Sequence, residues 1–206
     1  MELLSKKNIK ELLESTDSDS LFIDPLLDHE QIGNVTIDLR IGYDFLVSVF
    51  TRKSFIEISK EQGNSYRGIA SYFQETRRDI GDRFVLYPNQ VVLTTTLEYV
   101  CLPSYVYLDV LSRSSYTRLG IHINTMVQPG FRGAIPLELF NHSNNPVELV
   151  VGSRICQVRL FKLGEETEYL KASEKRKYYG DVRPTLSKAD NDQELDLLSK
   201  IQLNDL

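Results

Sequence analysis

The chain alternates between apolar and polar positions over much of its length, and this period of two is typical of β-strands. The alternation is clearest in residues 135–141, IPLELFN, where Ile135, Leu137 and Leu139 share one face and Glu138 falls on the other. Such a pattern usually marks a sheet with one buried and one solvated face, which explains Glu138 without any function. A functional carboxylate would need partners elsewhere in the chain.

Other segments rich in Val, Ile, Thr, Tyr and Phe also predict strands. They are NVTIDLRIG, FVLYPNQVVLTTTLEYVCLP, VYLDVLS, VELVVG and RICQVRLFKL. Turn signals stand between the segments, at Gly33-Asn34, Pro88-Asn89, NHSNNP and Gly152-Ser153. Many short strands with regular turns predict a mainly β fold, either a barrel or a double-sheet roll.

Helices are predicted only near the two ends and in one polar region. Residues 5–14 combine a Ser5 cap with apolar residues at helical spacing, which predicts a short amphipathic helix. Residues 52–82 are more polar and mix basic with acidic residues, so we interpret them as an insertion with some helix and a solvated surface.

The last residues, 189–206, form a C-terminal extension beyond a single domain of residues 1–188. Asp190 or Asn191 offers a helix cap, and Leu195, Leu198 and Ile201 follow at a spacing of three. This pattern predicts either a short docking helix, for which a neighbouring subunit is one partner, or a frayed tail.

Composition places the chain among ordinary soluble proteins with one core, at 206 residues, 41% hydrophobic and 26% charged. A net charge of −5 gives no support for a nucleic-acid partner, since such domains usually carry a basic excess. No apolar run is long enough to span a bilayer, and the N-terminus lacks the apolar region of a signal peptide. We therefore expect a cytoplasmic protein without a membrane partner.

The metal-binding residue types are few and scattered. Cys101 and Cys156 lie far apart in apolar segments, so buried free thiols are expected rather than a disulfide. His29, His122 and His142 have no HxxxH or HxE spacing, and no CxxC accompanies them. A zinc site of the usual composition is disfavoured.

The segment LSRSSYTRLG follows a predicted strand and suits an anion. Ser114 and Ser115 stand where a helix could be capped, and Gly120 is a natural C-cap, so the helix would be barely one turn long. Arg113 lies beside the two hydroxyls, and Arg118 would reach the same face as Ser114. A capped surface turn is the commoner explanation of this local pattern, and a phosphate site is the functional one.

Together these segments resemble the dCTP deaminase family, which shares its fold with the trimeric dUTPases. RSSYTRLG, QPGFRGAIPLELFN, TIDLRIG and KYYGDVRPTLSK are similar to family motifs, and the resemblance covers residues 1 to about 188. It implies a mainly β, dUTPase-like fold, a distorted jelly-roll or β-barrel with a few short helices. It also implies a homotrimer with sites between subunits, and a deoxycytidine nucleotide bound with Mg²⁺ on its phosphates. The implied reaction is zinc-independent hydrolytic deamination of dCTP to dUTP and ammonia.

The resemblance also assigns roles to single residues. Glu138 matches the general acid/base, which would activate water for attack at C4 of cytosine. A half-buried carboxylate would suit this role because desolvation raises its pKa. The remaining matches are Ser114 and Arg118, which orient Glu138 and the water; Arg113, Ser114 and Ser115, which bind phosphate; and Tyr169 and Lys177, which belong to a C-terminal lid.

Three positions depart from the family motifs. Gln128 replaces a family Asp that contacts the sugar, and dUTPases use the corresponding Asp to activate water. A Gln cannot act as that base, so dUTPase activity is disfavoured. Gln128 could still hydrogen-bond the 3′-hydroxyl of the deoxyribose. The base-binding hairpin, residues 120–128, is shorter and carries Met126 in place of a small Ala. Asp181 replaces a lid Gln and would repel a triphosphate.

These departures leave two alternatives to a dCTP deaminase. One is a deaminase with a shifted nucleotide preference, for dCMP or CTP. The other is a nucleotide-binding trimer of the same fold that has lost catalysis. The joint presence of Glu138, Ser114 and Arg118 argues against the second, because a binding protein would not require the acid/base.

Overall fold

The computed structural model describes residues 1–52, 55–58, 68–165 and 177–198. Its strands are β1 (Glu2–Leu3), β2 (Phe22–Asp24), β3 (Ile37–Arg40), β4 (Asp44–Ser48), β5 (Phe73–Arg77), β6 (Arg83–Leu86), β7 (Val91–Cys101), β8 (Val106–Ser112), β9 (Ile121–His122), β10 (Asn124–Val127), β11 (Arg132–Asn141), β12 (Val147–Val150) and β13 (Arg154–Lys162). Its α-helices are α1 (Lys6–Glu14), α2 (Ser114–Thr117) and α3 (Gln193–Leu198). Seven of these strands lie in or overlap the predicted segments, namely β3, β6, β7, β8, β11, β12 and β13, whereas the other six fall outside them. The chain is mainly β, so the predicted fold class is confirmed.

The strands form two larger antiparallel sheets and a separate two-stranded sheet. One sheet has the order β1-β13-β8-β10, with β3 also paired to β13. The other has the order β5-β4-β7-β11-β9, with β2 also paired to β7, and β12 pairs with β6. Among the described residues these pairings make open sheets, which agrees with a double-sheet roll better than with a closed barrel.

The two sheets bury one continuous apolar cluster between them. Leu108 of β8 and Val158 of β13 enter it from the first sheet, and Val92 of β7 from the second. On β11 the alternation predicted from the sequence is confirmed, because Ile135 and Leu137 have no exposed surface. Burial of such side chains is the main favourable term for a fold of this size, at roughly 25 cal/mol per Å² of apolar surface.

A β-bulge interrupts the central pairing of β11 with β7. The register shifts between Ala134 and Pro136, and the backbone N–H of Ile135 donates to the hydroxyl of Thr96 at 2.9 Å. Proline has no N–H to give to a ladder, so a bulge is one of the few places where a paired strand tolerates it. After the bulge the pairing resumes, and Glu138 lies opposite Leu93.

The N-terminal helix agrees with its prediction. Ser5 caps α1 by accepting from the backbone N–H of Asn8, and the Asn8 side chain accepts from the backbone of Ser5. This reciprocal capping satisfies two N–H groups that the first turn would leave unpaired. Ile9, on the inner face of the helix, is fully buried in the core. Among the described residues, no helix is long and apolar enough to cross a membrane.

The polar region and the C-terminal extension both contribute regular structure. In the described part of residues 52–82, a 3-10 turn at Ile69–Tyr72 leads into β5, which pairs with β4 at the edge of the second sheet. Residues 53–54 and 59–67 lie outside the described part. In the extension, a 3-10 turn at Ala189–Asn191 precedes α3, and residues 199–206 lie outside the described part.

Candidate active site

Glu138 lies on the outward face of β11, just beyond the bulge, and its side chain is exposed in the single chain. It is therefore more open to water than the half-buried carboxylate that we expected. The walls beside it still withdraw the carboxyl group from part of the surrounding water. This desolvation raises the pKa of Glu138 above its ordinary value of 4.5, while a hydrogen bond from its own backbone opposes the shift. A carboxyl group with a raised pKa is suited to exchange protons near neutral pH.

Two hollows meet at Glu138. The larger, of about 340 Å³, lies between residues 125–128 at the end of β10 and Lys177, with Phe131 and Tyr179 in its wall. The smaller, of about 230 Å³, lies between β7 and residues 184–187 of the C-terminal segment. Pro136, Glu138 and Tyr178 line both hollows. A small molecule seated in either hollow would contact the Glu138 carboxylate.

The segment expected to hold a base lines the larger hollow. Thr125, Met126 and Val127 belong to β10, which pairs with β8 in antiparallel register, and Gln128 follows at its end. Met126 is 61% exposed, and its sulfur lies 3.8 Å from Nε2 of Gln128. The short hairpin thus presents a thioether and a carboxamide to the space in front of Glu138.

The C-terminal segment is attached to the start of β11 by backbone hydrogen bonds. The N–H of Gly180 donates to the carbonyl of Arg132 at 2.8 Å, and the N–H of Ala134 donates to the carbonyl of Asp181 at 3.0 Å. Gly133 lies between these two bonds with a φ of +148°, and a Cβ there would come within 2.7 Å of the Asp181 carbonyl. This close approach holds Lys177, Tyr178 and Tyr179 beside Glu138.

The side chain of Asp181 is occupied within the same segment. Its Oδ2 lies 3.6 Å from Nζ of Lys188 and accepts from the hydroxyl of Thr185 at 3.3 Å. Neither hollow beside Glu138 includes Asp181 in its wall. The repulsion of a triphosphate that the sequence suggested for Asp181 is reduced by the Lys188 ammonium group.

Lys177, the predicted lid lysine, lines the larger hollow. Its Nζ lies 2.5 Å from Oδ1 of Asp192, in the C-terminal extension. The backbone carbonyl of Lys177 accepts a short hydrogen bond from Nζ of Lys188. Tyr169, the other predicted lid residue, lies outside the described residues.

The predicted anion-binding turn forms α2, and its cap differs from the prediction. The N-cap position is Arg113, whose carbonyl accepts from the N–H groups of Tyr116 and Thr117. No side chain caps the helix, so the capping roles expected for Ser114 and Ser115 are wrong. The chain enters the helix one residue earlier than the hydroxyls suggested, which leaves both serines exposed within the first turn.

The α2 turn brings Ser114 and Arg118 one helical turn apart, as expected. The N–H of Arg118 donates to the carbonyl of Ser114 at 3.1 Å, and both side chains are exposed. Arg113 is more restrained than the sequence indicated. Its Nε lies 3.2 Å from Oδ2 of Asp38 in β3, and its Nη1 donates to the carbonyl of Arg154 at 3.1 Å.

Asp38 contacts Arg113 of the predicted site, and we did not predict this role from the sequence. It is only 8% exposed and pairs with Arg113, while its Oδ1 accepts from Nε2 of Gln157 at 3.1 Å. The available signal was its position in TIDLRIG, which we matched as a strand without giving Asp38 a role. A charged group buried beside an arginine fixes the direction of the guanidinium group.

Within one chain the predicted residues form two separate groups. Glu138, Gln128 and Lys177 share the larger hollow. The walls of the two hollows at Glu138 include none of the residues of the α2 group, namely Arg113, Ser114, Ser115 and Arg118. Among the described residues, no group of three or more His, Cys, Asp or Glu side chains is arranged to hold a metal ion.

The fold resembles that of a deoxynucleotide deaminase of known structure. The crystal structure of 2′-deoxycytidine 5′-triphosphate deaminase from Agrobacterium tumefaciens superposes with a TM-score of 0.57, over 84% of this chain and 52% of that one. The present chain thus spans about half the length of that protein. The sequence identity of 23% makes this a likeness of fold.

The sequence comparisons identify the family. The profile of the dCTP deaminase-like family matches residues 3–163. The protein named dCTP deaminase, dUMP-forming, of Methanobrevibacter smithii is 36% identical over 95% of this chain and 99% of its own. The protein named dCTP deaminase of Natronomonas pharaonis is 36% identical over 93% of this chain and 97% of its own. The chain belongs to the dCTP deaminase-like family.

Proposed function

We propose that the protein deaminates dCTP hydrolytically to dUTP and ammonia, without zinc, with Glu138 as the general acid/base. The observation that carries the proposal is a carboxyl group of raised pKa in the wall of a hollow that also contains Gln128 and Lys177. This hollow offers a proton-transfer group, a hydrogen-bonding amide and a cation for phosphate. The names of the full-length relatives support dCTP as the substrate.

In this mechanism Glu138 moves protons at the cytosine ring. Ionised Glu138 takes a proton from water, and the hydroxide attacks C4 to form a tetrahedral intermediate. Glu138 passes that proton to N3 of the ring. It then takes the hydroxyl proton of the intermediate and delivers it to the amino group, which leaves as ammonia while the C4 carbonyl forms. Water therefore supplies the oxygen of the new carbonyl group, and Glu138 returns to its ionised form.

The triphosphate would be bound by cations and hydroxyl groups. Lys177 supplies one cation at the larger hollow, and Arg113, Ser114 and Ser115 match the family's phosphate-binding segment. Besides the Glu138 carboxylate, the polar side chains around the larger hollow are a lysine, an amide and hydroxyls, which suit phosphate oxygens. A single carboxylate is a poor set of ligands for Mg²⁺. Mg²⁺ would therefore arrive on the nucleotide, where it neutralises phosphate charge, and no residue is assigned as its ligand.

The protein is proposed to act as a homotrimer whose sites form between subunits. The separation of the α2 group from the hollows at Glu138 supports this proposal, because one chain alone supplies only part of the predicted set. In such an assembly Ser114 and Arg118 of one subunit would orient Glu138 and the water of its neighbour. A cyclic homotrimer provides three equivalent sites of this kind.

The product is the point on which two candidates differ. Gln128 cannot act as the base that dUTPases use to activate water for phosphate cleavage, which favours release of dUTP. The name of the Methanobrevibacter smithii relative states dUMP formation, which favours the second candidate, deamination followed by loss of pyrophosphate.

Product analysis tests both candidates. Purified protein would be incubated with Mg²⁺ and dCTP, dCMP, CTP or dUTP, and the nucleotides separated by chromatography. We expect dUTP from dCTP, no pyrophosphate from dUTP, and loss of turnover by about 100- to 10,000-fold in Glu138→Gln. Glu75→Gln, an exposed glutamate on β5, is the matched control and should keep full activity.

The outcomes separate the alternatives. Formation of dUMP and pyrophosphate would support the second candidate, and faster turnover of dCMP or CTP would support a shifted nucleotide preference. Nucleotide binding with no uracil product, unchanged by Glu138→Ala, would instead identify a binding protein and end the deaminase proposal.

A further inference from the structure

The C-terminal extension reaches back to the larger hollow and contacts its lysine. The turn Ala189–Asn191 leads to Asp192, whose Oδ1 lies 2.5 Å from Nζ of Lys177. The side chains of Lys177 and Asp192 are 34% and 42% exposed, so both are in contact with water. The Asp192 carboxylate thus pairs with the ammonium group of Lys177, a residue that lines the same hollow as Glu138.

The contact is separate from the bonds that hold the C-terminal segment in place. Lys188 fixes that segment through the carbonyl of Lys177 and the carboxylate of Asp181, and its N–H donates to the hydroxyl of Tyr178 at 3.2 Å. Asp192 follows after these contacts. Release of Asp192 from Lys177 therefore leaves Tyr178 and Lys177 beside Glu138.

We propose that Asp192 is a built-in competitor of the nucleotide phosphate for Lys177, an inference that rests on the phosphate-binding role proposed for that lysine. A carboxylate and a phosphate are both oxygen anions that pair with an ammonium group. To pair with Lys177, a phosphate must displace the Asp192 carboxylate, and the loss of that ion pair lowers the affinity for the phosphate. Asp192 thereby sets the nucleotide concentration at which the site fills.

The test uses inorganic tripolyphosphate as the probe, because its binding does not depend on deamination. Its Kd would be measured by calorimetry for the full chain and for Asp192→Asn. The variant is expected to bind about two- to fivefold more tightly, the effect of removing a partly exposed ion pair. The increase should shrink at high salt, since exposed charge pairs are screened.

The matched control is Asp190→Asn, two residues earlier in the same turn. It makes the same change in net charge, and Asp190 has no ion pair among the described residues, so its Kd should change much less. In a Lys177→Gln background, where binding is weaker, Asp192→Asn should have no further effect. With dCTP, Asp192→Asn should lower KM by the same factor and leave kcat unchanged, which a general loss of structure would not do.

The proposal would be overturned if Asp192→Asn and Asp190→Asn changed the Kd for tripolyphosphate equally, or if Asp192→Asn left it unchanged. It would also be overturned if Asp192→Asn still tightened binding in the Lys177→Gln background. A protein that binds no tripolyphosphate in either form also overturns it. The proposed reaction can fail on its own. Tighter tripolyphosphate binding in Asp192→Asn without uracil formation from dCTP would support the role of Asp192 and contradict the deaminase activity.

Discussion

Two glutamates on neighbouring strands have opposite environments. Glu138 of β11 points outward, whereas Glu98 of β7 has no exposed surface. The carboxylate of Glu98 accepts from Nε2 of Gln31 at 3.0 Å and from the N–H of Arg40 at 2.9 Å. Desolvation raises the pKa of both carboxyl groups above 4.5, through full burial at Glu98 and through the walls beside the exposed Glu138. Glu98 therefore serves the interior of the fold, and Glu138 remains available to a ligand.

Removal of the Glu98 carboxylate should destabilise the fold. Glu98→Ala leaves the buried donors of Gln31 and Arg40 without their acceptor and opens a cavity, at an expected cost of about 2–5 kcal/mol. Glu98→Gln keeps one acceptor oxygen and should fall between that variant and the wild type. Urea unfolding measures the difference, with the exposed Glu75→Ala as control. A midpoint for Glu98→Ala equal to that of the control would contradict this role.

The pH dependence of activity should report Glu138. Its pKa is raised above 4.5 by desolvation, and a general base must be ionised to take a proton from water. Activity is therefore expected to fall as the pH drops through this raised pKa, with an acid limb of kcat/KM above 4.5. Parallel thermal unfolding at each pH separates this limb from acid denaturation. A limb at or below the ordinary glutamate value would rule out the inferred environment.

At the scale of elements, the contact of β11 with the C-terminal segment controls the site. Gly133 provides the close approach that allows Ala134 to donate to the Asp181 carbonyl. The same segment carries Lys177 and Tyr178 into the wall of the larger hollow. The start of β11 thus positions the lid residues, and its continuation positions Glu138.

Gly133→Ala should loosen this contact. An alanine at a φ of +148° is strained, and its Cβ would come within 2.7 Å of the Asp181 carbonyl, so residues 180–181 must move away. We expect KM for dCTP to rise by about five- to 100-fold, from a strain of roughly 1–3 kcal/mol. Gly164→Ala, whose Cβ would meet nothing within 4 Å, is the control. Unchanged KM in Gly133→Ala would show that this contact does not support binding.

The strands and helices were predictable from the sequence where the signal was local. The alternation at Ile135, Leu137 and Leu139 and the cap at Ser5 depend on neighbours in the chain, and the structure confirms both. The bulge before Pro136 depends instead on the facing strand. Local patterns are encoded within a few residues, whereas a bulge requires knowledge of the pairing partner.

The contacts of the candidate site were harder to predict from the sequence than the strands and helices were. The resemblance supplied Glu138, Gln128 and Lys177, and the structure brings these three to one hollow. It gave no indication of the ion pairs of Arg113 with Asp38 or of Lys177 with Asp192. Arg113 and Asp38 lie far apart in the sequence, and Asp192 lies outside the family motifs. Such side chains meet only through tertiary packing.

At the scale of the whole molecule, the division of the predicted site into two groups calls for a test of assembly. Variants Glu138→Gln and Arg118→Ala would each be inactive alone. Mixed by denaturation and renaturation, they should regain activity in about one quarter of the sites, the fraction that random mixing makes intact when each site draws on two subunits. Mixing two batches of Glu138→Gln is the control. No recovery in a mixture shown to contain hybrid trimers would contradict sites between subunits.

The central claim is that Glu138 directs water to C4 of a cytosine nucleotide. Turnover of dCTP in H₂¹⁸O followed by mass spectrometry tests it most directly. We expect dUTP with one ¹⁸O in the uracil base and none in the phosphates, together with one ammonia per turnover and no product from Glu138→Gln. Unchanged dCTP, or ¹⁸O found only in released phosphate groups, would contradict it.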